Sequence, residues 1–161
     1  MNSSAAYLMA QEPGLTVASD LLGPLSVSAE EIIDFPAGLF GFPECRRFVV
    51  IPGEREGYFW LQSADHSALA FLLVDPFLVF DDYSVDLATQ EIQEIGASDA
   101  SEIAILAIVT LPRSRQEQPT ANLQGPLAIS FQRQRGRQLV LAESDFGVRC
   151  PFDPVQTASA S

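Results

Sequence analysis

Proline and glycine punctuate this chain so often that no long helix or long strand fits between them. The 161 residues include eleven Pro and ten Gly. Proline fixes φ and removes a backbone donor, and glycine supplies the conformations that turns require, so this spacing favours many short elements. The intervening runs read as strands. Leu25–Val27 follows Gly23 and Pro24, and Glu30–Phe35 leads into Pro36 and Gly38. Arg47–Ile51 (RFVVI) is β-branched and closed by Pro52 and Gly53. Tyr58–Gln62 (YFWLQ) and Leu69–Val74 (LAFLLV) flank the polar stretch Ser63–Ser67, as in a hairpin. Ile103–Leu111 (IAILAIVTL) is continuously apolar, as expected of a strand covered on both faces. Leu127–Gln132 and Gln138–Ala142 flank Arg133–Arg137, where Gly136 can supply the positive φ of a tight turn.

Only Asp86–Ile95 has helical spacing, with Leu87, Ala88, Ile92 and Ile95 on one side and Gly96 as a stop. About eight short strands and one short helix predict an all-β fold, a small antiparallel β-barrel-like domain. Residues 1–14 (MNSSAAYLMAQEPG) are small and polar and are expected to form a mobile N-terminal extension. The tail 154–161 reads as flexible in the same way, which leaves 15–153 as one domain.

Apolar residues make up 47% of the chain, with eleven Phe and one Trp, enough for a sizeable core. Charged residues are only 19%, so the net charge of −12 does not describe a disordered polyelectrolyte. The charge is lopsided. Residues 1–102 hold seventeen Asp/Glu against three Arg, a balance of −14; residues 103–161 hold four against six, a balance of +2. An acidic surface of this kind repels phosphate backbones, which excludes direct nucleic-acid binding, and attracts a basic protein partner. Acidity also serves solubility, which charge alone does not separate from steering.

Catalytic patterns are missing. A hydrolase needs a nucleophile, a base and an orienting acid, and the single histidine, His66, sits between Asp65 and Ser67 in a turn where adjacent residues cannot form that geometry. One His and two distant cysteines, Cys45 and Cys150, supply neither a transition-metal site nor a disulfide framework, and the thiols are expected to stay reduced. Asp81 and Asp82 lack EF-hand spacing. The stretch Gly38–Gly41 lacks the lysine of a phosphate loop. No metal or cofactor is therefore expected. The first basic residue is Arg46, so no signal-peptide n-region is visible. The longest apolar stretch is broken at Asp75 and Pro76 and cannot span a bilayer. A monomeric, cytoplasmic, non-enzymatic protein is the expectation.

Two segments are too particular for bland turns. FPAGLFGF (35–42) places apolar side chains around two glycines, either as an interface anchor or as a loop folded over a barrel end. TANLQGP (120–126) carries two amides in a Gly-Pro-terminated loop, free to bond a partner or the loop itself. With FWLQS (59–63), LAFLLVDPF (69–77), DY (82–83) and GRQLVL (136–141), in the same order and spacing, these segments resemble the FliW family along roughly residues 15–153.

The resemblance implies a small antiparallel β-barrel-like domain and a protein-binding switch. FliW-type proteins bind the RNA-binding translational repressor CsrA, relieving repression of flagellin synthesis, and bind newly made flagellin, which couples flagellin level to its translation. The expected partner-binding residues are Leu39, Phe40, Phe42, Gln62, Asp81, Asp82, Tyr83, Asp86, Asn122, Leu123 and Gln124. Two other classes compete: a chaperone for flagellin alone, and a barrel whose Phe-rich interior encloses a small ligand or flavin.

Overall fold

A computed structural model describes residues 14–142 and 144–154. Eleven short strands appear: β1 Leu15–Val17, β2 Leu25–Val27, β3 Ile33–Asp34, β4 Arg47–Pro52, β5 Tyr58–Ser63, β6 Ala70–Val74, β7 Ala104–Thr110, β8 Thr120–Ala121, β9 Leu127–Ser130, β10 Arg135–Gln138 and β11 Cys150–Pro151. Two short helices, α1 Pro76–Val79 and α2 Thr89–Ile95, lie between β6 and β7. Apart from Gly14 and Pro154, the predicted extension and tail fall outside the described residues.

Strands β3, β4, β5, β6 and β7 form an antiparallel meander. Beyond it, β7 divides its free edge between two partners. Ala104, Ile105 and Leu106 pair with β9, whereas Val109 and Thr110 pair with β8. β9 and β10 form a hairpin, and β10 meets β3 in parallel at Arg135 and Asp34. That last pairing closes a seven-stranded barrel. Closure removes the sheet edges that would otherwise invite further strands.

Period-two alternation sorts the side chains. On β5, Phe59 and Leu61 face the interior with Phe35, Phe48, Leu73, Leu106, Leu127 and Ile129, while Tyr58, Trp60 and Gln62 take the opposite face. Each fully buried Phe or Leu contributes about 1.5–3 kcal/mol by leaving water. The outer face has its own covers. Val17 and Val27 of the β1–β2 hairpin pack on Val49; Ile95 of α2 packs with Ala128 and Leu139; Tyr83, Leu123 and Phe152 pack on Val74, Ala107 and Val109. This double coverage explains the unbroken apolar run of β7, whose Leu106 and Ile108 face inward and whose Ala107 and Val109 face the outer layer.

Four expectations need correction. The segment 30–35 is not one strand: Ala29–Glu31 form a turn of 3-10 helix, and only Ile33 and Asp34 pair. The helix expected from Asp86 begins at Thr89, because Ala88 is extended (φ −72°, ψ 151°) and its N–H is capped by the Glu91 side chain. Gly96 does end it, at φ +83°. The β9–β10 turn comes earlier than predicted. Gln134 takes the positive φ of 55°, held by side-chain donation to the carbonyls of Ala29 (2.8 Å) and Ile32 (3.0 Å). Gly136 is instead inside β10, where a Cβ would lie 2.6 Å from Cζ of Phe35; the glycine is there for close approach. Finally, 139–142 is not strand, since β10 ends at Gln138.

Candidate partner-binding surface

The segment 35–42 is pinned at both ends. Phe35 is buried, its ring edge-on to Phe48 at 5.5 Å. Leu39 and Phe42 exchange backbone hydrogen bonds at 3.1 and 2.7 Å, so Phe40 and Gly41 are the central residues of a tight turn. Gly41, at φ +86°, takes the left-handed position that this turn demands. Leu39 enters the interior cluster, and the Phe42 ring sits edge-on to Phe71 at 5.4 Å. Phe40 remains 56% exposed and Phe42 39% exposed. An apolar ring held in water on a fixed turn carries a small ordering cost on binding, which suits an anchor.

Gln138, at the end of β10, joins this turn to a second loop. Its Oε1 accepts from the Phe40 N–H at 2.8 Å, and its Nε2 donates to the Gly125 carbonyl at 2.9 Å. In the loop 122–126, the Asn122 Oδ1 accepts from the Gly125 N–H at 2.8 Å. The N–H groups of Leu123 and Gln124 both donate to the Gly147 carbonyl, and the Leu141 N–H donates to the Gln124 carbonyl. The Asn122 amide is thus engaged within its own loop. On the far side, the Tyr83 hydroxyl donates to the Leu123 carbonyl at 2.8 Å, and its ring meets Phe146 edge-on at 5.2 Å. Burial, with a contribution from Cys150, pushes the Tyr83 phenol up to about 12.

Beside Tyr83, an exterior cleft of about 630 Å³ is lined by Asp82, Asp86, Glu91 and Asp145 with Val85 and Phe146. Asp81, Asp82 and Asp86 are all exposed. They do not cap the helices: Asp75 accepts from the Phe77 N–H to cap α1, and Glu91 serves α2. Burial raises the Asp75 carboxyl, and the Phe77 hydrogen bond only partly offsets this.

The structure therefore divides the expected residues. Phe40, Phe42, Asp81, Asp82 and Asp86 are exposed, and Asn122 and Gln124 are half-buried. Leu39, Tyr83, Leu123 and Gln62 are buried, which corrects the expectation that their side chains face a partner. Leu39 and Leu123 are core, and Tyr83 ties a loop. Gln62 closes the β5–β6 turn, its Nε2 donating to the carbonyls of Ser63 (3.0 Å) and Leu69 (3.2 Å). His66 is exposed in that turn.

Two features escaped the sequence reading. One is Gln138, inside the GRQLVL segment but given no role. The other is an apolar groove of about 830 Å³ on the outer barrel face, left open between the β1–β2 hairpin and Phe152. Ile51, Trp60, Leu72 and Val109 form its floor as directly paired residues on four adjacent strands. The alternation of Tyr58, Trp60 and Gln62 along β5 was the available signal. Among the described residues, no group of three or more His, Cys, Asp or Glu is placed to hold a metal ion, and no helix is long and apolar enough to cross a membrane.

Comparison with known proteins covers nearly all of this architecture. The family model for the FliW protein matches residues 16–152. A flagellar assembly factor FliW from Natranaerobius thermophilus is 35% identical over 139 residues, spanning 86% of this chain and 92% of the relative. One from Syntrophomonas wolfei is 35% identical over 144 residues, spanning 88% and 92%. A crystal structure of the flagellar assembly factor FliW superimposes with a TM-score of 0.78 at 27% identity, covering 88% of this chain and 99% of that one. With the barrel, its closing strands and both tied loops inside the matched span, the chain belongs to the FliW family of flagellar assembly factors.

Proposed function

We propose that this protein is a non-catalytic, cytoplasmic regulator of flagellar assembly that binds the translational repressor CsrA, relieves repression of flagellin synthesis, and is itself captured by flagellin. Family membership supports the assembly role. The observation that carries the binding role is Phe40, more than half exposed on a turn whose two neighbours, Leu39 and Phe42, are anchored in or against the barrel. Phe40, Phe42 and the adjoining Asn122–Gln124 loop form the contact surface, and Asp81, Asp82 and Asp86 attract a basic partner.

The test is a gel shift with CsrA and a flagellin leader RNA. Added protein should release the RNA, and added flagellin should restore the CsrA–RNA complex. Failure to release RNA while flagellin still binds would establish the second reading, a chaperone for flagellin alone. That reading is favoured by the Trp60 groove, which offers cover to an apolar segment. The interior ligand site has no such support, because the barrel axis is filled by Phe35, Phe48, Leu61, Leu73, Leu127 and Ile129.

A further inference from the structure

We propose that Gln138 is a positioning residue that makes the Phe40 turn and the 122–126 loop a single unit, so that a partner pressing on one loop is felt by the other. The proposal rests on the reading of Phe40 as an interface anchor and assigns the residue that sets its position.

The reasoning begins with the turn. Its two backbone bonds run between Leu39 and Phe42, which leaves the Phe40 N–H without a partner inside the turn. A two-residue turn cannot satisfy its first central N–H itself, so that donor must find water or an outside acceptor. The acceptor is the Gln138 side chain, 98 residues away in sequence. Gln138 is 7% exposed and sits in β10, paired with Leu127, so its own backbone is fixed by the barrel. The other end of the same carboxamide donates to Gly125, whose N–H is held by Asn122. A carboxamide has one acceptor end and one donor end, and here each is committed to a different loop. Rotation to improve one bond worsens the other. The Phe40 turn and the 122–126 loop therefore share one rigid reference, and neither shifts without disturbing the other's hydrogen bond. Glutamate keeps only the acceptor when ionised, and methionine keeps only the shape. Of these three side chains of similar length, only the amide supplies both ends.

Hydrogen exchange on the free protein tests the positioning without any partner. In the wild-type chain the Phe40 amide should exchange about tenfold more slowly than the neighbouring Gly41 amide. Gln138→Met should abolish that protection while the Leu61 amide in β5 stays protected. Gln138→Glu, at a pH where the carboxylate is ionised, should keep the Phe40 protection, while the Gly125 amide, held by Asn122 in the loop that Nε2 no longer fixes, exchanges faster than in the wild type. If Gln138→Met does not fold, the wild-type comparison and Gln138→Glu still decide. An unprotected Phe40 amide in the wild type, or a protected one in Gln138→Met, overturns the proposal.

The coupling is read in binding. For CsrA as the probe, Phe40→Ala and Gln124→Ala should be non-additive by about threefold or more in the wild-type background and additive in Gln138→Met. Additivity in both backgrounds overturns the coupling. Normal CsrA and flagellin binding by Phe40→Ala would defeat the proposed surface instead, and would leave the exchange result standing.

Discussion

The hydroxyl of Tyr83 donates to the main-chain carbonyl of Leu123 at 2.8 Å, tying the segment after α1 to a loop forty residues later. Both groups are buried, so neither has water as an alternative. Tyr83→Phe should cost about 1–2 kcal/mol, mainly by leaving the Leu123 carbonyl unsatisfied. The phenol also predicts an alkaline limit. Its folded value of about 12 lies above the ordinary 10.0. Below pH 10 both states hold the proton and Tyr83 contributes no pH dependence. Between 10 and about 12 the unfolded chain releases a proton that the folded chain retains, so stability falls as pH rises. Thermal melts at pH 9 and pH 11 should show a drop in Tm that is smaller in Tyr83→Phe.

Gly136→Ala should be strongly destabilising although β10 is an ordinary strand there. The new Cβ would stand 2.6 Å from Cζ of Phe35, and that ring is backed by Phe48 and cannot retreat. Overpacking of this kind costs about 1–3 kcal/mol. Urea denaturation measures the loss. Adding Phe35→Leu, which removes the ring edge, should make the second substitution cheaper than it is alone.

Phe40→Ala should separate binding from folding. Truncating an exposed ring changes stability by no more than about 0.5 kcal/mol. Loss of an anchor weakens a partner by about 1–3 kcal/mol. Calorimetry with CsrA and with flagellin, alongside a melt, checks both. Normal affinity for both partners would leave the ring as an uncommitted surface residue.

Association with CsrA should be steered by the acidic part of the chain. Residues 1–102 carry the −14 balance, and Asp81, Asp82 and Asp86 are exposed. Exposed charges more than about 8 Å apart are screened at physiological salt, so the effect belongs to the encounter. Stopped-flow association should slow as salt rises, with dissociation nearly constant. Replacing the three aspartates by asparagine should remove part of the low-salt rate. A rate indifferent to both would leave the acidity as a solubility device.

The expected outcome for His66→Ala is unchanged partner binding and stability. The ring is exposed in the β5–β6 turn, which Gln62 closes through its own amide. Loss of binding by a folded His66→Ala protein, seen in the same calorimetry, would overturn this.

Much of the fold was legible because it is written in short-range terms. Strands β4 to β7 follow from apolar runs bounded by Pro, Gly or a polar turn, and Gly96 stops α2 as glycine should. The misplaced β9–β10 turn shows where that reasoning stops. Local rules place Gly136 in the turn for its freedom of φ, but the position needs absence of a side chain under Phe35, a contact set by the tertiary fold. Gln134 takes the costly φ because its amide is paid back by Ala29 and Ile32, a hundred residues upstream in sequence and invisible to local rules. The site behaved likewise. The exposure expected of Phe40 from the FPAGLFGF segment is present, whereas the burial of Leu39, Tyr83 and Leu123 and the two hydrogen bonds of Gln138 emerge only from the folded arrangement.

The parallel pairing of β10 with β3 has a consequence for synthesis. As the chain leaves the ribosome, the meander from β3 to β7 can form early, yet its two margins stay open until residues 127–138 have emerged to bridge them. Arg135 and Asp34 are about a hundred residues apart in sequence, and their pairing waits until β9 and β10 have added to the meander, which has by then shortened the loop to be closed. Such non-local closure makes folding slow relative to helical proteins. The half-built barrel is thus the stage most exposed to misassembly, and the Phe40 turn gains its Gln138 hydrogen bond only once β10 is in place.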